Sequence, residues 1–133
     1  MKRMTKRWIA SAAILLLTLC ALPAFAADAT GKWTCVDKDG DGNVVHLTFV
    51  FKQEGTQLTG TLTIRDDSDR ILESTSINKG KVDGDKISFA TALSDGARIT
   101  HEGTIHEDEI MLSVVVSGNE SSETSEMTLK RSK

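Results

Sequence analysis

The strongest constraint on this chain is a two-residue alternation of apolar and polar side chains, repeated along most of its length. In residues 45–51, two aliphatic residues and two phenylalanines alternate with His46, Thr48 and Val50. The same period returns at residues 58–64 and at residues 110–116. This period puts alternate side chains on opposite faces of a β-strand, and no segment after residue 26 has the spacing of an amphipathic helix. The sequence therefore predicts an all-β fold.

Clusters of turn-forming residues separate the alternating segments at regular intervals. They lie at Asp39 to Gly42, Glu54-Gly55, Asp66 to Asp69, Asp83-Gly84, Asp95-Gly96, Glu107-Asp108 and Gly118 to Ser122. The only proline is Pro23, so no strand after residue 26 lacks a ladder N–H for that reason. We expect eight strands in an antiparallel up-and-down meander.

Such a meander can hide its apolar face by closing into a barrel or by folding over as a sandwich. We favour an eight-stranded barrel, because closure removes the exposed strand edges. The Asp83-Gly84 pair suits a two-residue hairpin loop, which would place Val82 opposite Asp85 and Gly80 opposite Ile87.

Residues 1–26 have the layout of a secretory signal peptide. A basic start precedes an apolar run from Ile9 to Leu22, and Ala24-Phe25-Ala26 supplies small residues where a signal peptidase cleaves. The run is shorter than the roughly 20 residues of a membrane span. We expect cleavage before Ala27 and one domain over residues 27–133, periplasmic or secreted and without a membrane anchor. Lipidation of Cys20 is the alternative, which the bulky Leu19 disfavours.

The chain after residue 26 is acidic. Four of the 16 basic residues precede Ala27 and all 19 acidic residues follow it, leaving 12 basic against 19 acidic residues, a formal charge of −7. A surface of this sign repels phosphate backbones and anionic lipids, so neither nucleic acid nor a membrane surface is expected as a partner.

Three residues resemble the motif of lipocalin-like (calycin-type) barrels. Gly31 and Trp33 form a Gly-x-Trp sequence at the start of the first strand, and Arg131 stands near the end of the last strand. The resemblance implies a small exported bacterial barrel in which Trp33 plugs one end and Arg131 packs across its indole. It also implies a ligand-binding interior.

The interior expected for this barrel is partly polar. If residues 70–82 form one strand, its inward face carries Ser74, Ser76 and Asn78, and the alternation of later strands turns Thr91 and His101 inward. These five residues are candidate contacts of a small polar ligand, because a buried polar group without a partner costs about 1–3 kcal/mol. Internal water or a satisfied internal network would explain them as well. The opposite phase, with Ile71, Thr75 and Ile77 inward, would require a bulge near Asn78.

Metal binding has weaker support. Asp37, Asp39 and Asp41 match the first part of an EF-hand loop, but Thr48 occupies the position of its last glutamate, and turn formation explains the same residues. Histidines 46 and 106 are expected to point outward and His101 inward, so they do not converge on a zinc site. No cofactor is expected.

No arrangement of residues indicates catalysis, and we do not expect an enzyme. Cys35 shares the parity of Trp33 and is expected to be buried and unreactive. The preferred hypothesis is small-molecule binding inside the barrel. The alternative is a periplasmic protein-interaction or inhibitor module whose acidic loops, Asp37 to Asp41, Asp66 to Asp69 and Glu107 to Glu109, dock a basic partner.

Overall fold

The computed structural model describes residues 28–118 and 121–132, which form nine antiparallel β-strands and no helix. The strands are β1 (Gly31–Lys38), β2 (Val44–Glu54), β3 (Gln57–Asp66), β4 (Ile71–Ser76), β5 (Asn78–Asp83), β6 (Lys86–Ala92), β7 (Arg98–His106), β8 (Glu109–Gly118) and β9 (Ser121–Arg131). The predicted signal peptide, residues 1–26, lies outside the described residues. Within the described part of the chain there is accordingly no helix long and apolar enough to cross a membrane.

Eight of the described strands close into a barrel. β1 pairs with β2 from Gly31 opposite Phe51 to Lys38 opposite Val44. On its other edge β1 pairs with β9, where Trp33 lies opposite Arg131. The circuit continues through β3, β5, β6, β7 and β8 to β9. The prediction of an all-β, eight-stranded antiparallel barrel is confirmed, and β4 is one extra strand.

β4 pairs with the later half of β3, whereas β5 pairs with its beginning. Between β4 and β5 the chain passes Ile77, which is 8% exposed and whose N–H donates to the Gly60 carbonyl at 3.0 Å. Lys79 follows with a φ of 54°, and the pairing of β5 with β6 shifts register between Asn78 and Lys81.

This bulge decides which side chains of β4 point inward. Burying Ile77 removes a large apolar side chain from water, and the preceding inward positions then fall on Glu73 and Thr75. The prediction of one uninterrupted strand over residues 70–82 is wrong. The alternative phase with a bulge near Asn78 holds for Thr75 and Ile77. Ile71 instead lies opposite the outward Arg65 and is 56% exposed, because the pairing of β3 with β4 shifts register between Ile64 and Arg65.

The β5–β6 hairpin differs from prediction in register but not in its inward face. Asp83 pairs with Lys86 and Val82 with Ile87, so the loop is Gly84-Asp85 rather than Asp83-Gly84. Gly84 has a φ of 63° at the first loop position, where a type II′ turn needs glycine. Val82 therefore lies opposite Ile87, two residues beyond the predicted partner Asp85. Because the side-chain period of a strand is two, this shift leaves Val82 and Ile87 on the same side of the sheet.

The barrel has two unlike ends. At the plug end lie residues 28–30 and the β2–β3, β5–β6 and β7–β8 turns. At the open end lie the β1–β2, β3–β4 and β6–β7 connections, the end of β8 and the start of β9. The inward apolar side chains of every described strand except β4 form one continuous core, together with Ala29 and Ile77. The largest fully buried side chains are Trp33, Phe49, Phe51, Phe89, Leu62, Ile87, Ile110, Leu129, His101, Val82 and Thr91.

Candidate functional site

The plug end is sealed by Trp33 and Arg131. The indole is fully buried, and its Nε1–H donates to the Ala29 carbonyl at 2.8 Å. The guanidinium carbon of Arg131 lies 4.3 Å from the centre of the indole ring, within the range of a cation–π contact. The contact between these two residues that the resemblance implied is therefore present in the structure.

The guanidinium also ties the N-terminal segment to the barrel. Its Nη1 donates to the Thr30 carbonyl at 2.8 Å, its Nη2 donates to the Asp28 carbonyl at 3.0 Å, and its Nε donates to Asp108 Oδ1 at 3.0 Å. Gly31, with a φ of 135°, lies so close that an added Cβ would sit 3.0 Å from Nη1 of Arg131. This end is a structural closure, because its polar groups find partners within the chain.

The interior toward the open end contains a cavity of about 270 Å³. Its walls come from inward positions of β2, β3, β7, β8 and β9, and its apolar lining is mostly aliphatic. The lining residues are Asp37, Asp39, Val45, Leu47, Leu62, Ile64, Leu72, Glu73, Ile99, His101, Val114, Val116, Ser125 and Met127. The volume is slightly below the usual range of ligand pockets, about 300–1,000 Å³, and suits a small ligand.

His101 is the one nitrogen-containing side chain among the described residues that line this cavity. It is 1% exposed, stacks on Phe89 with the ring centres 4.4 Å apart, and meets the Phe49 ring edge-on at 5.8 Å. Among the described residues, no group makes a hydrogen bond of acceptable length and angle with its Nδ1.

Burial keeps His101 uncharged. Desolvation lowers the pKa of the imidazole to about 4, against a smaller upward effect from the Phe89 backbone. A neutral imidazole carries one N–H donor and one acceptor nitrogen. His101 therefore offers a ligand one directional hydrogen bond within an otherwise apolar surface.

Thr91 is the second polar residue of the core. It is 1% exposed, and its Oγ1 has no hydrogen-bond partner among the described residues. It pairs with Ile99, and the His101–Phe89 pair lies two positions away along the same β6–β7 ladder. The structure thus places Thr91 and His101 inside the barrel, as the alternation predicts, although Thr91 does not line the cavity wall.

The other three predicted ligand contacts do not face the interior. Ser74, Ser76 and Asn78 are exposed on the outer surface. Ser76 lies opposite the exposed Thr61, on the outer face of the β3–β4 pair. The prediction that they line the interior is wrong, because the bulge between Asn78 and Lys81 reverses the facing of residues 73–78 relative to that prediction.

Glu73, which was not among the predicted site residues, points inward in their place, together with Thr75. Glu73 pairs with Ile64 in the β3–β4 ladder, and its Oε1 accepts hydrogen bonds from the backbone N–H and the hydroxyl of Ser94, at 2.9 and 2.8 Å. The apolar character of Ile77 was the signal that could have found it, since burying Ile77 requires the phase that turns Glu73 inward.

The mouth of the cavity is acidic. Asp37, Asp39 and Glu73 contribute carboxylates, and none of the described residues that line the cavity is lysine or arginine. Asp37 lies opposite the buried Val45 in the β1–β2 pair, so its side chain is on the inward face. The carboxylates stand at the edge of the apolar lining rather than within it.

The proposed calcium ligands do not form a metal site. Asp39 Oδ1 accepts hydrogen bonds from the N–H groups of Asp41 and Asn43, both at 2.9 Å, and the bond from Asn43 is the main reason that the pKa of Asp39 is lowered. Asp39 is committed to the turn. No group of three or more His, Cys, Asp or Glu side chains in the described ranges is placed to hold a metal ion.

The remaining histidines and the cysteine lie where parity predicts. His46 faces outward and its Nε2 is 2.9 Å from Asp67 Oδ1, and His106 is exposed on the surface. Cys35 faces inward and is half-buried against the core. Burial, reinforced by the nearby charge of Asp37, raises the pKa of its thiol to about 11, which disfavours the reactive thiolate.

The three acidic loops proposed to dock a basic partner do not share one surface. The loops at residues 37–41 and 66–69 lie at the open end, whereas residues 107–109 form the β7–β8 turn at the plug end. Asp108 of that turn is already engaged by Arg131. The three loops therefore do not form one continuous acidic surface.

Two other concavities lie on the outer wall. Grooves of about 460 and 660 Å³ run along β5, β6 and β7 and are lined mainly by outward polar side chains such as Lys81, Ser88 and Glu102. The larger groove borders β6 at Thr91, but the buried side chain of Thr91 points to the opposite, inward face. The interior cavity beside His101 is therefore the stronger candidate site.

Comparison with known proteins supports the barrel and leaves the family open. No family model and no curated protein matches the chain. Among solved structures, that of EF1p2_mFAP2b bound to DFHBI is similar with a TM-score of 0.61 and 12% identity, covering 77% of this chain and 93% of that one. A de novo designed fluorescence-activating β-barrel is similar with a TM-score of 0.53 and 20% identity, with the same coverage of 77% and 93%. At these identities the likeness shows the fold alone.

Proposed function

We propose that this protein binds one small, largely apolar molecule in the cavity at the open end, with His101 making the single polar contact at its inner end. The observation that carries the proposal is the buried Nδ1 of His101 without a partner among the described residues. An unsatisfied buried polar group costs about 1–3 kcal/mol, and the cavity lies against the same imidazole ring, so a small rotation of the ring would let a ligand atom supply the missing hydrogen bond.

The similar barrels support binding as a use of this architecture. One of them is bound to the small molecule DFHBI, and the other is a fluorescence-activating barrel. The cavity here is formed by this chain's own residues, so the comparison does not identify its ligand.

The setting we propose follows from residues 1–26. Export with cleavage before Ala27 would deliver residues 27–133 to the periplasm or the medium, where the protein acts by binding rather than by catalysis. Mass spectrometry of the secreted form tests the cleavage site, and an N-terminus other than Ala27 would contradict it.

A pair of neighbouring substitutions tests binding in the interior. Val116→Phe fills the cavity, because Val116 lines it, whereas Val115→Phe places the same side chain on the outer face of β8, where Val115 is 37% exposed. Native mass spectrometry of protein purified from its own host should show an added small-molecule mass in the wild type and in Val115→Phe. That mass should be absent in Val116→Phe.

A wild-type protein that carries no added mass, and gains none when incubated with an extract of small molecules from its host, would contradict the proposal. An added mass that survives Val116→Phe would place the ligand outside this cavity and would contradict it equally.

A further inference from the structure

We propose that the ligand of this cavity is a small organic cation, an apolar body of about one aromatic ring that carries a protonated amine. This inference rests on the proposed function and adds the chemical class of the ligand. Two independent features carry it: the acidic mouth formed by Asp37 and Glu73, and the neutral, unpartnered His101 at the inner wall.

The volume sets the size of the apolar body. A cavity of about 150 Å³ lined by aliphatic and aromatic side chains is enough to hold benzene. The cavity here, about 270 Å³, therefore accommodates one ring with a short substituent. The ring would lie among aliphatic side chains such as Ile99, Val114 and Met127.

The charges at the mouth set the sign of the polar group. Two arginines at the open end are engaged in ion pairs on the surface, since Arg70 Nε lies 3.2 Å from Asp66 Oδ2 and Arg65 Nε lies 3.6 Å from Asp69 Oδ1. A third, Arg98, begins β7 and lines the outer groove rather than this cavity. Asp37 and Glu73 have no such ion pair among the described residues, and both stand on inward positions. A cation at the mouth would be attracted to them, whereas an anion would be repelled.

The inner wall disfavours an anion as well. A carboxylate beside His101 would be buried in mainly aliphatic surroundings, where the neutral imidazole supplies one N–H donor but no positive charge. A neutral hydrogen-bonding atom, or the edge of an aromatic ring, is compatible with this wall. The charged group of the ligand is therefore expected at the mouth.

Three probes of nearly equal shape test the charge preference. Phenethylamine is protonated at pH 7 as a lysine side chain is, 2-phenylethanol is neutral, and phenylacetate is ionised. Titration of the purified protein, followed by calorimetry and by chemical shifts of residues lining the cavity, should give an affinity for the amine about tenfold above that for the alcohol. Phenylacetate should bind most weakly.

Charge-removing variants locate the source of the preference. Asp37→Asn and Glu73→Gln should each lower the affinity for phenethylamine about three- to tenfold and leave 2-phenylethanol unchanged, as expected for a partly exposed ion pair. Glu109→Gln, which removes the same charge at the plug end, should change neither. Ser94→Ala removes a hydrogen bond to Glu73 but keeps its charge, so it should preserve the preference.

The outcomes separate this inference from the proposed function. If the alcohol or the acid binds as tightly as the amine, and Val116→Phe abolishes that binding, the cavity binds ligands but the inference of a cation is wrong. If none of the three probes binds at millimolar concentration, both proposals are contradicted for ligands of this size.

Discussion

The two ends of the barrel treat buried polar groups in opposite ways. At the plug end, the indole N–H of Trp33 and three nitrogens of Arg131 reach carbonyl or carboxylate oxygens at 2.8–3.0 Å. Toward the open end, His101 and Thr91 are as deeply buried as Trp33, and more deeply than Arg131, whose side chain is 28% exposed. They nevertheless leave polar atoms without partners among the described residues. Buried polar groups are nearly always paired, and exceptions concentrate at functional sites. We infer that the plug end stabilises the fold, and the unpartnered polar atoms support the proposal that the open end binds a ligand.

Trp33→Ala should produce the largest loss of stability. Truncating a fully buried tryptophan costs about 3–5 kcal/mol, and here it also removes the surface on which Arg131 packs. Met127→Ala, at a half-buried position lining the cavity, should cost less, because the cavity already leaves one side of Met127 unpacked. Urea denaturation of both variants measures the difference. If both variants lost the same amount of unfolding free energy, the plug end would contribute no more to stability than the open end.

Acid should destabilise the protein through His101. The pKa of this imidazole is about 4 in the folded protein and about 6.5 when unfolded, so the unfolded state binds more protons between these values. The stabilisation is present above pH 6.5 and is lost as pH falls toward 4, by an amount on the order of 3 kcal/mol. Unfolding free energies measured from pH 7 to pH 4.5 test this.

His101→Phe is the control for that pH dependence, and its unfolding free energy should be nearly flat over the same interval. The carboxylates of Asp28, Asp39 and Asp66 have lowered pKa values, so their contributions disappear only below about pH 4. If His101→Phe lost as much unfolding free energy between pH 7 and pH 4.5 as the wild type does, groups other than His101 would cause the acid sensitivity.

At pH 7 the same substitution should separate stability from binding. Phenylalanine keeps the stacking on Phe89 and removes the unpartnered Nδ1, so His101→Phe should be more stable by about 1 kcal/mol. It should also bind the natural ligand at least about tenfold more weakly, since the polar contact is gone. A loss of stability instead would mean that the imidazole is satisfied in the folded protein and that the two ends are alike.

The smallest expected effect concerns backbone strain at the plug end. Glu107 has a φ of 56° in the β7–β8 turn, where Gly84 of the β5–β6 turn has 63°. Replacing Glu107 by glycine should stabilise the protein by a few tenths to about 1 kcal/mol, because the left-handed conformation is costly for a side chain with a Cβ. Thermal unfolding measures it. If Glu107→Gly raised the free energy of unfolding well above the increase from His101→Phe, the plug end and not the open end would contain the more destabilising feature.

Several features followed from the sequence alone. The alternation in residues 45–51, 58–64 and 110–116 predicted the strands and their inward faces, and the same period placed His101 and Thr91 inside the barrel. Trp33 and Arg131 share inward parity at opposite ends of the chain, and closure of the barrel brings them together. These predictions succeed because a strand has a fixed period and any strand with an apolar face has to bury it.

Only the tertiary structure decided the composition of the site. In residues 70–82, either set of alternate residues could face inward, because each set contains some apolar side chains. Which set is inward depended on whether the barrel had room for Ile77 beside β3. That choice turned Glu73 inward and Ser74, Ser76 and Asn78 outward. The type II′ loop that begins at Gly84, and the separation of the acidic loops between the two ends, were equally undetermined. The physical reason is that periodicity specifies which side chains of one segment share a face, whereas a one-residue bulge exchanges the two faces from that point on. The free energy of such a bulge depends on contacts with other strands, which the local sequence does not contain.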